Sequence, residues 1–116
     1  MTQEKEMINP QLNQAGKTIN RRMNLQGFWE CDFECAVDGE KIALMHSELS
    51  EALEALRHGN PKSQKIPLFS HVEEELADCI IRIADYCGQH NLDIDGAIIA
   101  KCEYNKSRPK KHGKDF

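Results

Sequence analysis

The chain has 116 residues, 40% of them hydrophobic and 29% charged, with a formal net charge of −4. This describes one domain of ordinary soluble composition. The acidic balance argues against a general nucleic-acid binder. No run approaches the ~20 apolar residues of a membrane span, and the start MTQEKEMINP lacks the apolar core of a secretion signal, so a cytoplasmic protein is expected.

Residues 1–8 are too polar to predict an element, and disorder is expected there. Asn9 and Pro10 read as an N-cap followed by proline at the first helical position. Leu12, Ala15, Ile19 and Met23 recur at steps of three and four and predict a helix from Pro10 to Asn24. Gly16 weakens it slightly.

Leu25 to Asp38 breaks this pattern and holds Gly27, Phe28, Trp29 and Phe33. It reads either as a hydrophobic plug at one end of a helix bundle or as a wall for a flat ring. Trp29, the sole tryptophan, is the candidate for stacking. Cys31 and Cys35 lie in the same segment, but no second Cys/His pair at zinc spacing accompanies them. The odd cysteine count and the lack of a C-x-x-C pair argue against a disulfide framework.

Asp38-Gly39-Glu40 opens a second helix, with acids where the helix dipole favours them. Ile42, Met45, Leu49, Ala52, Leu53 and Leu56 form its expected apolar stripe, with Glu48 and Glu51 at the edge and Glu54 in solvent. Arg57-His58-Gly59-Asn60-Pro61 stops it. After a linker, Ser70 and Glu73 form a capping box for a third helix. Val72, Leu76, Cys79, Ile80, Ile83 and Cys87 form its apolar face; Glu75 and Asp78 flank that face, and Gly88 is expected to end the helix. Asp93 caps a fourth helix running to Ser107, ahead of Pro109. Its Lys101, Asn105 and Arg108 share a stripe, and a basic tail follows from Lys106. With no strand pattern, the expected fold is all-α, a four-helix bundle-like arrangement that oligomerises to bury its apolar faces.

The chemistry centres on Glu48-x-x-Glu51 and Glu75-x-x-Asp78. Residues three apart share a helix face. Two such pairs on adjacent helices place four carboxylates around one volume, and like charges that close need a counter-charge. Mg²⁺, with Mn²⁺ as a substitute, is the natural one, since hard cations take oxygen ligands. A di-iron centre needs E-x-x-H on two helices, and no such pair occurs. A P-loop and a G-x-S-x-G elbow are also absent. Metal held by acids clamps phosphate oxygens and activates water. With Lys101 and Arg108 as cations, Asn105 as a donor and an aromatic wall, the sum describes a nucleotide phosphohydrolase.

E-x-x-E, 23 intervening residues (52–74), then E-x-x-D resembles the metal signature of the all-α NTP pyrophosphohydrolases, the MazG-like superfamily. HSELSEALEALRHG resembles that family's second helix, and EEELADCIIRIADYCGQHNLDIDGAI its third helix and turn. AKCEYNKSRPKKHGKDF resembles its K-x-x-x-N-x-x-R-P-x-x-H-G ending. The likeness covers Gly39 to the C-terminus. It implies Mg²⁺-dependent hydrolysis of a nucleoside triphosphate to monophosphate and pyrophosphate, a pool-cleaning activity. Glu48, Glu51, Glu75 and Asp78 would hold the metal, and Lys101, Asn105 and Arg108 would lie near the phosphates. It also implies a homodimer or homotetramer with the site near the subunit interface. Relatives acting on phosphoribosyl-ATP or dUTP stay open within the class. Outside it, the rivals are a non-catalytic helical protein-binding module and a small nucleic-acid binder using the basic tail.

Overall fold

The computed structural model describes residues 6–30 and 37–108, so Cys31, Phe33, Cys35 and the tail beyond Arg108 lie outside the described residues. These residues form four helices and no named strand. They are α1 (Leu12–Leu25), α2 (Val37–Arg57), α3 (His71–His90) and α4 (Ile94–Lys106). None is long and apolar enough to cross a membrane.

The α2–α3 pair is an antiparallel hairpin. Asp38 pairs with His90 near one end at 3.0 Å. Farther along, the Met45 carbonyl accepts from the Cys79 thiol, and Glu48 meets Arg82. Small side chains set the separation, because Ala52, Ala55 and Cys79 are buried between the helices. Ser70 caps α3 as the sequence predicts. Its side chain accepts from the Glu73 amide, and the Glu73 carboxylate accepts from the Ser70 amide.

Two helix ends differ from expectation. Gly88 does not terminate α3, which continues to His90 and ends at Asn91 in the left-handed conformation (φ 55°). Gly88 is instead where α1 crosses α3. A β-carbon there would lie 2.5 Å from the Gly16 carbonyl oxygen, and one on Gly16 would lie 2.5 Å from that of Ala84. The two glycines let backbone meet backbone.

Nor do Asn9 and Pro10 start α1. The helix begins at Leu12, and Gln11 supplies no side-chain cap. The Asp95 carboxylate, from α4, accepts instead from the amides of Leu12 (2.8 Å) and Asn13 (3.1 Å). Asn13 returns the contact, accepting from the Asp95 amide and donating to Asp93. A cap 83 residues away in sequence closes α1 and fixes α4 to it.

The apolar stripe of α2 is split. Lys41, Met45, Glu48, Ala52 and Ala55 are the half-buried or buried positions. Ile42, Leu49, Leu53 and Leu56 are exposed, as are Leu76 and Ile80 of α3. Carboxylates occupy the enclosed face in their place: Glu74, Glu75 and Asp85 are each less than a tenth exposed. Among the described residues no large side chain is fully buried.

Candidate metal centre

The small residues between α2 and α3 bring Glu48 up against the carboxylate edge of α3. Glu48, Glu75 and Asp78 each offer an oxygen within 4.8 Å of the others. The Glu48 side chain is 12% exposed, and its Oε1 accepts from Arg82 Nε at 3.1 Å. Glu75 Oε1 lies 3.1 Å from His71 Nε2, one helical turn earlier. Burial raises the Glu75 pKa above its usual 4.5, and proton sharing with Glu48 raises it further. Burial also raises Asp78, reinforced by Glu48 and Glu74 and opposed by Lys65 and Arg82. The cluster thus holds negative charge against its own repulsion, with Arg82 as a built-in partial counter-ion. An all-oxygen donor set under that tension suits a hard divalent cation.

A second group shares Glu75: His71, Glu74 and Glu75 also offer ligand atoms within 4.8 Å of one another. Glu74 is held by the buried Ser63, whose hydroxyl donates to it at 2.5 Å. Sequence reasoning passed over Ser63, His71, Glu74 and Lys65, and left Arg82 without a role. The spacing of His71 four residues before Glu75 was the available signal for one of them.

Not every expected residue converges. Glu51 is exposed and lies outside the three-carboxylate group. Lys101 and Asn105 are exposed on α4 and Arg108 just beyond its end; among the described residues α4 packs chiefly on α1. The Lys101 ammonium sits 4.8 Å from the Tyr104 ring centroid, with the Arg108 guanidinium 5.7 Å from the same ring. Within one copy this stripe does not join the carboxylates.

Trp29 is pinned at the other end of the α2–α3 hairpin. Its Nε1 donates to both oxygens of buried Asp85, at 3.0 and 3.1 Å. Asn20 Nδ2 donates to the same carboxylate. Lys41 Nζ stands 4.5 Å from the indole centroid, and His90 meets the ring edge-on at 5.8 Å. One indole face is therefore occupied by a cation, and stacking is confined to what the other face offers. Asp85 continues the line of Glu75, Asp78 and Arg82 along α3 at steps of three and four, so a single polar stripe joins the carboxylate cluster to the indole.

No family model, curated protein or solved structure matches the chain. The family resemblance therefore rests on the motifs and the functional reading on the geometry.

Proposed function

We propose that this protein is a cytoplasmic, Mg²⁺-dependent nucleotide pyrophosphohydrolase of MazG-like type, converting an NTP or dNTP and water to the monophosphate and pyrophosphate. The observation that carries the reading is the convergence of Glu48, Glu75 and Asp78, from two helices, into a shielded cluster with Arg82 and Lys65 acting on it. The ordered sequence motifs support it independently. Glu48, Glu75 and Asp78 would hold the metal, with Mn²⁺ as a substitute. Glu51 joins only if its side chain turns inward from solvent. The bound cation supplies charge neutralisation at the phosphates and a more acidic water.

This chain's own groups do the rest. One carboxylate of the cluster, left off the cation, would accept a proton from the attacking water. Arg82, which donates to Glu48 Oε1, would be free to meet a phosphate oxygen if a bound cation took over the neutralisation of Glu48. Phosphoanhydride cleavage by positioning and electrostatics needs no covalent intermediate.

The same reading includes a homodimer or homotetramer. Leu49, Leu53, Leu56, Leu76 and Ile80 stand 42–58% exposed on α2 and α3. A second copy on this face would cover them, and its α4 is the route by which Lys101, Asn105 and Arg108 reach the carboxylates. The exposed leucines also favour a rival, a non-catalytic helical module that binds another protein there.

The test is product analysis across a panel of standard and modified NTPs and dNTPs, phosphoribosyl-ATP and dUTP, with Mg²⁺ and with EDTA. Metal-dependent release of pyrophosphate supports the enzyme and names its base. Silence across the panel, from folded protein whose melting temperature ignores Mg²⁺, overturns it in favour of the binding module. Glu48→Gln and Asp78→Asn abolish turnover on this reading. Glu54→Gln is neutral, since among the described residues Glu54 pairs only with exposed Arg57 and His58.

A further inference from the structure

Between α2, which ends at Arg57, and α3, which begins at His71, the connecting loop is tied down more firmly than a simple connection requires. Gly59 and Asn60 both take left-handed φ (80° and 51°), turning the chain sharply after α2. Asn60 Oδ1 then accepts from the Val72 amide, and the Pro61 carbonyl accepts from the His71 amide at 2.8 Å. The Ser63 amide donates to the Phe69 carbonyl. The Ser63 hydroxyl, 2% exposed, accepts from the amides of Lys65 and Ile66 while donating to Glu74. The loop is thus locked to the first turn of α3 through one buried serine, and Lys62 and Lys65 stand exposed on either side of it.

These lysines face a cleft of about 350 Å³ whose other wall is His71, Glu74 and Glu75. That volume falls within the range of about 300–1,000 Å³ for small-molecule sites. Glu75 belongs both to this wall and to the three-carboxylate cluster. A ligand that chelates a cation at the cluster therefore has Lys62 and Lys65 among the residues lining the adjoining cleft. The ligand class with both properties is a di- or polyphosphate, whose oxygens bind a divalent cation and lysine together.

We propose that the cleft between the Pro61–Lys65 loop and the start of α3 is a pyrophosphate subsite, in which Lys62 and Lys65 bind the phosphate oxygens of the metal-chelated leaving group. This rests on the metal-dependent reading above and extends it, because the basic residues that the sequence motifs single out, on α4, are not the ones this chain places beside its carboxylates.

The probe is inorganic pyrophosphate, titrated calorimetrically into the full chain with Mg²⁺, alongside Mg²⁺ alone. Charged hydrogen bonds of this kind are worth about tenfold each in affinity. The Lys62→Ala/Lys65→Ala double variant is thus expected to bind pyrophosphate about a hundredfold more weakly. Its affinity for Mg²⁺ alone should rise by about threefold, as two nearby positive charges are gone. Both side chains are exposed, so melting in EDTA should be unchanged, and Lys65→Arg should keep most of the pyrophosphate affinity. A structural role would not move the two affinities in opposite directions. Wild-type protein that binds Mg²⁺ but no pyrophosphate overturns the subsite. So does a double variant that binds pyrophosphate as wild type does; either result leaves the metal reading intact. No Mg²⁺ binding in any protein overturns the metal reading itself, and the subsite with it.

Discussion

Glu75→Gln separates a functional carboxylate cluster from a merely structural one by the sign of its effect. Glu48, Glu75 and Asp78 have oxygens within 4.8 Å of one another. Two unit charges at that distance repel by about 3.5 kcal/mol at an effective dielectric of ~20. Arg82 and Lys65 offset part of this at Asp78, while burial, followed by the contact with Glu48, raises the pKa of Glu75. Replacing Glu75 by the isosteric amide removes one charge and keeps a partner for His71. The metal-free protein should gain about 1–2 kcal/mol, or roughly 4–10 °C in melting temperature for a domain of this size. In wild type, Mg²⁺ at about a hundred times its dissociation constant adds about 2.7 kcal/mol, and the variant should lose most of that gain. Thermal unfolding followed by circular dichroism, in EDTA and in Mg²⁺, reads both effects. A variant that is less stable in EDTA and still stabilised by Mg²⁺ would refute the reasoning, because the carboxylate would then be a structural hydrogen-bond partner.

Acidity should reproduce that contrast without a mutation. Glu75 and Asp78 have folded pKa values above their unfolded ones, so the folded state binds protons more tightly. Metal-free stability from these groups therefore rises as pH falls from neutral through the raised pKa values, and levels off below the unfolded ones. Mg²⁺ affinity, which needs the deprotonated forms, falls over the same window; melting scans with and without Mg²⁺ down a pH series check both slopes. Gly88→Ala places a methyl 2.5 Å from a backbone oxygen that cannot rotate away. It should cost about 1–3 kcal/mol in urea unfolding, against the stabilisation expected of Gly→Ala in an open helix. Trp29→Phe strips the Nε1 donor from Asp85, which is 6% exposed. A loss of about 1–3 kcal/mol is expected, recovered in part by Trp29→Phe combined with Asp85→Asn.

Local signals in the sequence were faithful to the structure. The Ser70–Glu73 capping box, the Asp93 cap and the stop after Arg57 each depend on residues within one turn. Three of the four expected carboxylates, Glu48, Glu75 and Asp78, come together, but Glu51, at the same i, i+3 spacing from Glu48, is exposed, so the spacing held on α3 and failed on α2. What could not be read depends on distant partners. Gly88 looks like a helix end until Gly16 is known to lie against it. Pro10 looks like a helix start until Asp95 is seen to provide the cap. Periodicity likewise shows that Leu49, Leu53 and Leu56 share a stripe, but it does not say whether that stripe turns toward α3 or outward. Nor could spacing within α4 reveal that α4 packs on α1, away from the carboxylates.

The outward leucines and inward carboxylates also bear on what a stability measurement on this chain means. Among the described residues, the fully enclosed apolar side chains of one copy are only alanines and cysteines, while larger ones such as Ile19, Ile81 and Ile83 are half-buried, so burial within a single copy leaves part of the apolar surface uncovered. If copies associate over the leucine face, folding and association become one equilibrium. Each tenfold dilution then removes about 1.4 kcal/mol from the associated state. A single unfolding midpoint would describe only the protein concentration at which it was taken. A dilution series of midpoints would measure how much of the fold belongs to the assembly.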